Sequence, residues 1–508
     1  MVESLGNAPV PKKNIPELIQ GGMGVGVSDW RLARAVAIAG EKLDKDVLGV
    51  ISGTGLAILM TNRLQQRDPN TIRALNSFPD PEIAKEIFDE FLPTEAKLPG
   101  QRYKLPPKPE VLITGKQEIQ DKMNKLLLAA AFVEVWLAKE GHDRPIGMNL
   151  LEKVQLVHLP TILGAMMAGV DTLIVGAGIP RQIPQVLENF ENNEEASYQI
   201  DVKGSKEKLE LRLDPKQYVA EGTELKKPDF YAIVSHHALA QFLASDKTQG
   251  EVNGFVIEGP SAGGHNAPAR NKGVFDEKGQ PVYGERDEPD LEEIRRLGKP
   301  FWLAGSWSER LREAQEIGAA GIQIGTPFAL SDESGFVKEK KDLERAKIMD
   351  DALEVITSAV VSPTGYPFQV VQIPGTLSEK KVYEDRDRVC SKGYLVEVRL
   401  DENKKPIFLC PAEPVKAYVR KGGKIEETEG RVCLCNGLAS AVGQGQTVGR
   451  GRIEGQGQTE EPEIFTLGKD QEPVRKLMEK SPHADGSYSA EDVVGFVFSN
   501  TTQVTSKE

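Results

Sequence analysis

The chain has 508 residues, 39% of them hydrophobic and 27% charged, enough for a large buried core and, by length, two or three domains. A net charge of -13 and a pI of about 5.3 exclude a general nucleic-acid binder, which needs a basic face. No apolar run approaches the roughly 20 residues of a membrane helix, the first residues lack an apolar signal core, and four cysteines do not make a disulfide scaffold, so a cytoplasmic protein is expected.

In chain order, residues 16–20 (PELIQ) predict a short strand that ends in Gly21-Gly22-Met23-Gly24. Ser28 or Asp29 can cap a helix over 30–39. Residues 47–51 predict a second strand, ending at Ser52-Gly53-Thr54-Gly55. A Pro-rich departure over about 56–143 reads as an insertion with its own helices, the strongest over 116–140. The third strand is 146–150. A helix over about 154–168 leads to the fourth, 172–175, which stops at Gly176-Ala177-Gly178.

A second insertion over about 191–227 alternates apolar with polar residues at 197–202 and 208–213, the pattern of a hairpin. Residues 230–234 form the fifth strand, followed by Ser235-His236-His237 opening a helix. The sixth, 255–258, runs into Gly259-Pro260-Ser261-Ala262-Gly263-Gly264-His265. A short helix over 290–297 precedes the seventh strand, 300–303, ending Ala304-Gly305-Ser306. A helix over 308–317 precedes the eighth, 321–324, ending Gly325-Thr326.

Eight short, uniformly apolar segments, most followed by a helix, predict an α/β fold: a (β/α)8 barrel with two insertions. An open doubly wound sheet is disfavoured, because no single GxGxxG is followed by an acidic residue about 20 positions on. The barrel should span 1–340. A C-terminal extension follows over 341–490, with a helix over 343–356 and a strand-rich, Gly-rich remainder; 491–508 reads as a partly disordered tail.

Such barrels place their sites at the C-terminal ends of the strands, where the glycines, Asn149, Glu258 and His265 all fall. Small-residue loops after strands seven and eight, with a helix opening near Ser308, suit a phosphate group. A histidine beside glycines can exchange protons near neutral pH. His236 and His237 either touch substrate or cap a helix. His142, His158 and His483 read as structural or solvated. Every cysteine lies in the extension: Cys390, Cys410, Cys433 and Cys435. Four thiols could close a zinc site, sit reduced in a core or hold an iron–sulfur cluster.

The strings IQGGMG (19–24), AGGH (262–265), LAGSWSERLREAQEIGAAGIQIGT and FALSDESG resemble the FMN-dependent nitronate monooxygenase family, formerly 2-nitropropane dioxygenases, which also includes FMN-dependent enoyl-acyl-carrier-protein reductases. TGYPFQ (364–369) is a weaker echo. The resemblance implies that Gly22, Met23, Gly24 and Asn149 meet the flavin ring and ribityl chain. It puts Glu258, where the family commonly has glutamine, and Gly263 and Gly264 beside the cofactor. Gly305, Ser306, Gln323, Gly325 and Thr326 would bind the FMN phosphate, and His265 would be the catalytic histidine.

Ser306-Trp307 departs from the family's Gly-Ile, and Trp307 is expected to narrow the site. The implied activity is oxidation of alkyl nitronates with O2 to a carbonyl compound and nitrite. The alternative is an enoyl reductase acting on chains bound to an acyl carrier protein, with NAD(P)H as reductant. A homodimer is the implied assembly. The large insertions keep the alternative alive.

Overall fold

The protein is described by a computed structural model over residues 15–97, 101–445, 447–448, 459–460 and 462–499. The eight apolar segments are strands β1 (Leu18–Gln20), β2 (Val47–Ser52), β3 (Ile146–Leu151) and β4 (Thr172–Gly176), then, past a hairpin, β7 (Asp229–Val234), β8 (Gly254–Glu258), β9 (Phe301–Ala304) and β10 (Gly321–Ile324). Half of them are buried along their whole length and the rest nearly so, as a parallel sheet covered on both faces requires. They pair in parallel around a closed ring in which β1 joins both β2 (Leu18 opposite Val47) and β10 (Leu18 opposite Ile322). The fold is a (β/α)8 barrel.

Ile19, Leu48, Val50, Ile174, Tyr231, Val256 and Trp302 form a separate hydrophobic cluster on strands of the barrel. Fully buried Trp302 donates its indole N–H to Pro16 C=O at 2.6 Å, which satisfies the ring's only polar group. Gly49 lets the helix Trp30–Leu43 rest on β2, since a Cβ there would meet Ala33 C=O at 2.0 Å.

The first insertion carries four substantial helices, Leu56–Gln65, Pro69–Asn76, Pro81–Phe91 and Gln117–Ala138. A buried ion cluster fixes it to the barrel. Arg63 pairs with Asp29 (2.8 Å) and with Glu134, and Glu134 also accepts the Trp30 N–H at 2.9 Å. Asp29 caps the helix Trp30–Leu43 through Arg31 N–H, as the sequence allows. Ser28 instead braces the loop after β1, accepting from Met23 N–H (3.0 Å) and donating to Gly21 C=O (3.0 Å). The second insertion contains the expected hairpin, β5 (Ala196–Asp201) against β6 (Lys208–Leu213).

The extension departs from expectation at its start. The helix runs over Lys338–Met349, not 343–356. The chain leaves it through Asp351 at φ 54°, and residues to Ser358 become β11 (Val355–Ser358), antiparallel to β12 (Phe368–Val371). A second antiparallel pair, β13 (Glu397–Leu400) and β14 (Pro406–Leu409), follows. These strands are interleaved with helices, among them Leu434–Ala441 and Glu472–Lys480. Part of the expected disordered tail is a helix, Ala490–Ser499, packed on the helix Trp30–Leu43 through buried Val493, Val494 and Val497. Residues 500–508 lie outside the described residues. No described helix is long and apolar enough to cross a membrane.

Candidate active site

One large cavity opens at the C-terminal ends of the barrel strands. Its floor begins with the loop after β1, where Gly22, Met23 and Gly24 line it. Gly22 passes so close to β3 that a Cβ would meet Asn149 Cβ at 2.3 Å, so only glycine fits. Asn149, 8% exposed, lines the cavity from β3.

The loop after β8 is the most heavily fastened part of the site. Asn266 N–H donates to Pro367 C=O (2.9 Å), and Gln369 N–H donates to Gly264 C=O (2.9 Å). The side-chain amides of Asn266 and Gln369 both donate to Pro260 C=O, at 2.7 and 3.0 Å. The TGYPFQ segment is therefore the outer rail of the loop. Gly264 turns at φ +81°, and its N–H donates to Thr466 Oγ1 at 2.8 Å.

His265 sits in this frame. Its Nε2 lies 2.7 Å from Ser362 Oγ, and that hydroxyl is 2.8 Å from Thr364 Oγ1. Its ring meets Phe368 edge-on at 4.9 Å between centroids. Burial, with some help from the charge of Lys153, pushes the His265 pKa down to about 4, so the ring is neutral at pH 7. Glu258 lines the same cavity, and burial pushes its carboxyl up to about 8, so it is mostly protonated at pH 7.

Gly305 (φ +105°), Gln323, Gly325 and Thr326 line the cavity after β9 and β10. The Gln323 side-chain oxygen is buried without a protein partner among the described residues. Ser306 is not on the wall. Trp307 N–H closes a turn on Gly305 C=O (2.9 Å) that carries Ser306 aside and brings Ser308 onto the lining. Trp307 does not narrow the site either: it is off the wall, with the Arg310 guanidinium 4.0 Å over its ring. The following helix starts at Leu311 rather than Ser308.

Of the remaining histidines, His236 caps the helix His237–Leu243 by accepting Ala238 N–H, and His237 accepts Asp290 N–H at 3.0 Å. Neither lines the main cavity; His236 lines a small neighbouring pocket. His158 is buried against Tyr198, His142 contacts Ala138 C=O and His483 is exposed.

Sequence reasoning missed the far wall, which comes from the extension. Lys392, Tyr394 and Leu395 line it, as do Leu434, Cys435 and Leu438 of the helix Leu434–Ala441. A strap at residues 466–470 adds Thr466, Leu467, Gly468 and Asp470 to the lining. Gly468 N–H donates to Thr326 Oγ1 (2.8 Å), and Lys469 N–H donates to Ser261 C=O (3.0 Å). Only TGYPFQ hinted that the extension reaches the site; a lysine beside a tyrosine in SKGYL was the other available signal.

Cys410 and Cys433 pack together in a small core with Cys435 beside them, and none of the four cysteines forms a disulfide. Among the described residues no cluster of three or more His, Cys, Asp or Glu side chains is placed to hold a metal, so the zinc candidates are not assembled into a cage. Burial raises the Cys390 thiol to about 11, which keeps it protonated.

No family model matches the chain, and no curated protein matches it. Solved structures do. FabK from Thermotoga maritima is 15% identical with a TM-score of 0.44, over 96% of this chain and 92% of that one. A nitroalkane oxidase from Streptomyces ansochromogenes is 14% identical with a TM-score of 0.41, over 96% and 95%. The enoyl reductase domain of MlnA from the macrolactin biosynthesis cluster of Bacillus amyloliquefaciens is 12% identical with a TM-score of 0.45, over 96% and 93%.

Proposed function

We propose that the chain is an FMN-dependent oxidoreductase that oxidises alkyl nitronates with O2 to a carbonyl compound and nitrite. The observation that carries this reading is a buried, neutral histidine on a glycine-lined cavity, with two hydroxyls leading away from it.

The residues fit FMN. Gly22, Gly305 and Gly325 bare the backbone at three strand ends, as close approach of a flat ring and a phosphate requires. The orphaned oxygen of Gln323 calls for a donor such as a ribityl hydroxyl; with the amide turned over, its NH2 suits a phosphate oxygen. In this reading Gly22, Met23, Gly24, Asn149, Glu258, Gly263 and Gly264 hold the ring and ribityl chain. Gly305, Gly325 and Thr326 hold the phosphate. When bound, FMN supplies the electron chemistry toward both substrate and O2.

The chain's own groups supply position and proton handling. A neutral imidazole has one nitrogen that donates and one that accepts; Nε2 is the one engaged with the Ser362 hydroxyl, which can play either part. With a nitroalkane, the accepting nitrogen takes the α-proton; a nitronate has already lost it. The Ser362 and Thr364 hydroxyls lead from the ring toward half-buried Thr364.

A second reading, reduction of carrier-bound enoyl chains with NAD(P)H, is favoured by the apolar far wall of Leu395, Leu434 and Leu438 and by Glu258 as a protonated carboxyl. The visible spectrum of the purified protein, repeated on the supernatant after heat denaturation, tests the cofactor. Nitrite release with O2 uptake from propan-2-nitronate supports the first reading. NAD(P)H consumption driven by an enoyl thioester without O2 supports the second. A protein that is colourless and takes up no added FMN overturns both.

A further inference from the structure

The loop after β8 is a partition between two cavities. Gly259 and Pro260 line a small side pocket, whereas residues 261–265 line the main cavity. Glu258 stands where the chain crosses from one to the other and lines both; among the described residues no other does. Glu258 lies opposite Ala304 of β9, and strand alternation puts its side chain on the same face as Val256. Val256 and Ala304 belong to the apolar cluster inside the barrel, so the carboxyl caps that layer. It makes no hydrogen bond or ion pair among the described residues, and burial alone raises it to about 8. A carboxyl held this way is costly to fold in, and such groups cluster at functional sites.

The side pocket holds about 50 Å³, room for a few water molecules. His236, Arg270, Tyr283 and Asp287 line it, and half-buried His236 and exposed Arg270 connect it with solvent. His236 Nδ1 accepts the Ala238 N–H at 3.2 Å, so the neutral ring carries its proton on Nε2. Burial, with His237 and Arg270 nearby, holds the ring below the usual histidine range, where it exchanges protons readily. The other ionisable groups on the main cavity wall are His265, Lys392, Tyr394, Cys435 and Asp470.

We propose that Glu258 is a proton port: its carboxyl passes protons between the side pocket and the reacting groups in the main cavity, with His236 as the exchange group on the solvent side. This rests on the proposed oxidoreductase function and adds a proton route separate from the one through His265, Ser362 and Thr364. The step is a proton transfer alone. The Glu258 O–H bond breaks as an O–H, N–H or C–H bond forms in the cavity, and the carboxylate regains its proton from pocket water, which His236 Nε2–H resupplies. Two nitronates and one O2 give two carbonyls and two nitrites with no net proton, so in that reaction the port lends a proton and takes it back within each turnover. A glutamine, common here in the family the chain resembles, holds a ligand but relays no proton; the port is a property of this chain's carboxyl.

Flash photoreduction of the FMN-loaded full chain, with a pH-indicator dye in weakly buffered solution, reads the port without any substrate. A flavin takes up a proton when two electrons reduce it. In the wild type the dye should report that uptake together with bleaching of the flavin. In Glu258→Gln uptake should lag about tenfold or more, with FMN content and melting temperature at pH 7 near wild type. Glu258→Asp, which keeps a carboxyl, should recover part of the rate. His236→Asn keeps the helix cap and should slow uptake several-fold; added imidazole should restore this variant but not Glu258→Gln. Wild-type uptake should also slow as pH rises through about 8, where the folded carboxyl ionises before reaction, and Glu258→Gln should lack that step.

Equal uptake by the wild type and Glu258→Gln overturns the port; a loaded flavin with nitrite release would then leave the oxidoreductase reading standing. Uptake indifferent to His236→Asn overturns the route through the side pocket. A chain that takes up no FMN overturns the oxidoreductase reading and the port with it.

Discussion

His265 Nε2 and Ser362 Oγ lie 2.7 Å apart although 97 residues separate them in the chain. The first belongs to a barrel loop, the second to the extension, so the proposed proton acceptor is tuned from outside the barrel. Ser362→Ala removes the partner and cuts the link to Thr364. We expect kcat with neutral nitroalkanes to fall about tenfold, with a smaller loss on nitronates, which have no α-proton to give up. Oxygen-electrode rates on the two substrate forms check this. Equal losses would assign Ser362 a purely structural role.

Two titrations in the cavity have opposite signs. His265 falls from 6.5 to about 4 on folding, so the unfolded chain binds a proton that the folded site refuses between those values. Its contribution to stability is fully present above pH 6.5 and is lost as pH falls toward 4. Glu258 rises from 4.5 to about 8, so the folded site keeps a proton that the unfolded chain has lost. Its contribution is fully present below pH 4.5 and fades as pH rises through 8. Melting temperatures across pH for the wild type and Glu258→Gln should therefore diverge, with the variant flatter between about 4.5 and 8.

Gly22→Ala would drive a methyl group to 2.3 Å from Asn149 Cβ. Relief requires moving the β1 loop or β3, at a cost of about 1–3 kcal/mol. The loop forms the cavity floor, so under the proposed function the variant should also lose most of the flavin that the wild type carries. Visible absorbance per mole of purified protein reads this directly; wild-type absorbance would show that the loop does not meet the ring.

Thr326 Oγ1 accepts the Gly468 N–H and ties the strap to the barrel. Thr326→Val keeps the shape and removes the acceptor. The orphaned N–H should loosen the strap by about 1 kcal/mol. Faster limited proteolysis within 462–470 and a several-fold weaker FMN affinity are expected.

Arg63 stands between two buried carboxylates, Asp29 and Glu134. Arg63→Leu leaves both without their shared cation and should destabilise the protein by about 3–5 kcal/mol. Denaturant unfolding measures it. Replacing Arg63 and Glu134 together with apolar residues should recover part of the loss.

The barrel was legible because a parallel sheet covered on both faces writes itself as short apolar runs such as Val47–Ser52, each broken by glycine. The floor of the cavity was legible for the same reason: Gly22, Gly305 and Gly325 mark strand ends. The far wall was not. Lys392 and Tyr394 have no periodic signature, and they face the cavity only through contacts such as Lys392 with Asn436, 44 residues on. The Lys338–Met349 helix was misplaced because its few apolar residues, Leu343 exposed and Ile348 buried, give no clear face against a run of charges. One tight turn decides which of two serines meets the cavity, and residue spacing alone does not show that it is Ser308 rather than Ser306.

The strap also imposes an order in time. A ribosome delivers all eight barrel strands long before residues 466–470. Until then the Gly264 N–H and the Thr326 hydroxyl wait without their partners. A nascent barrel can therefore fold around an unfinished cup. If the proposed function holds, capture of the flavin becomes one of the last events of biosynthesis, and its yellow colour would report that translation has passed the strap.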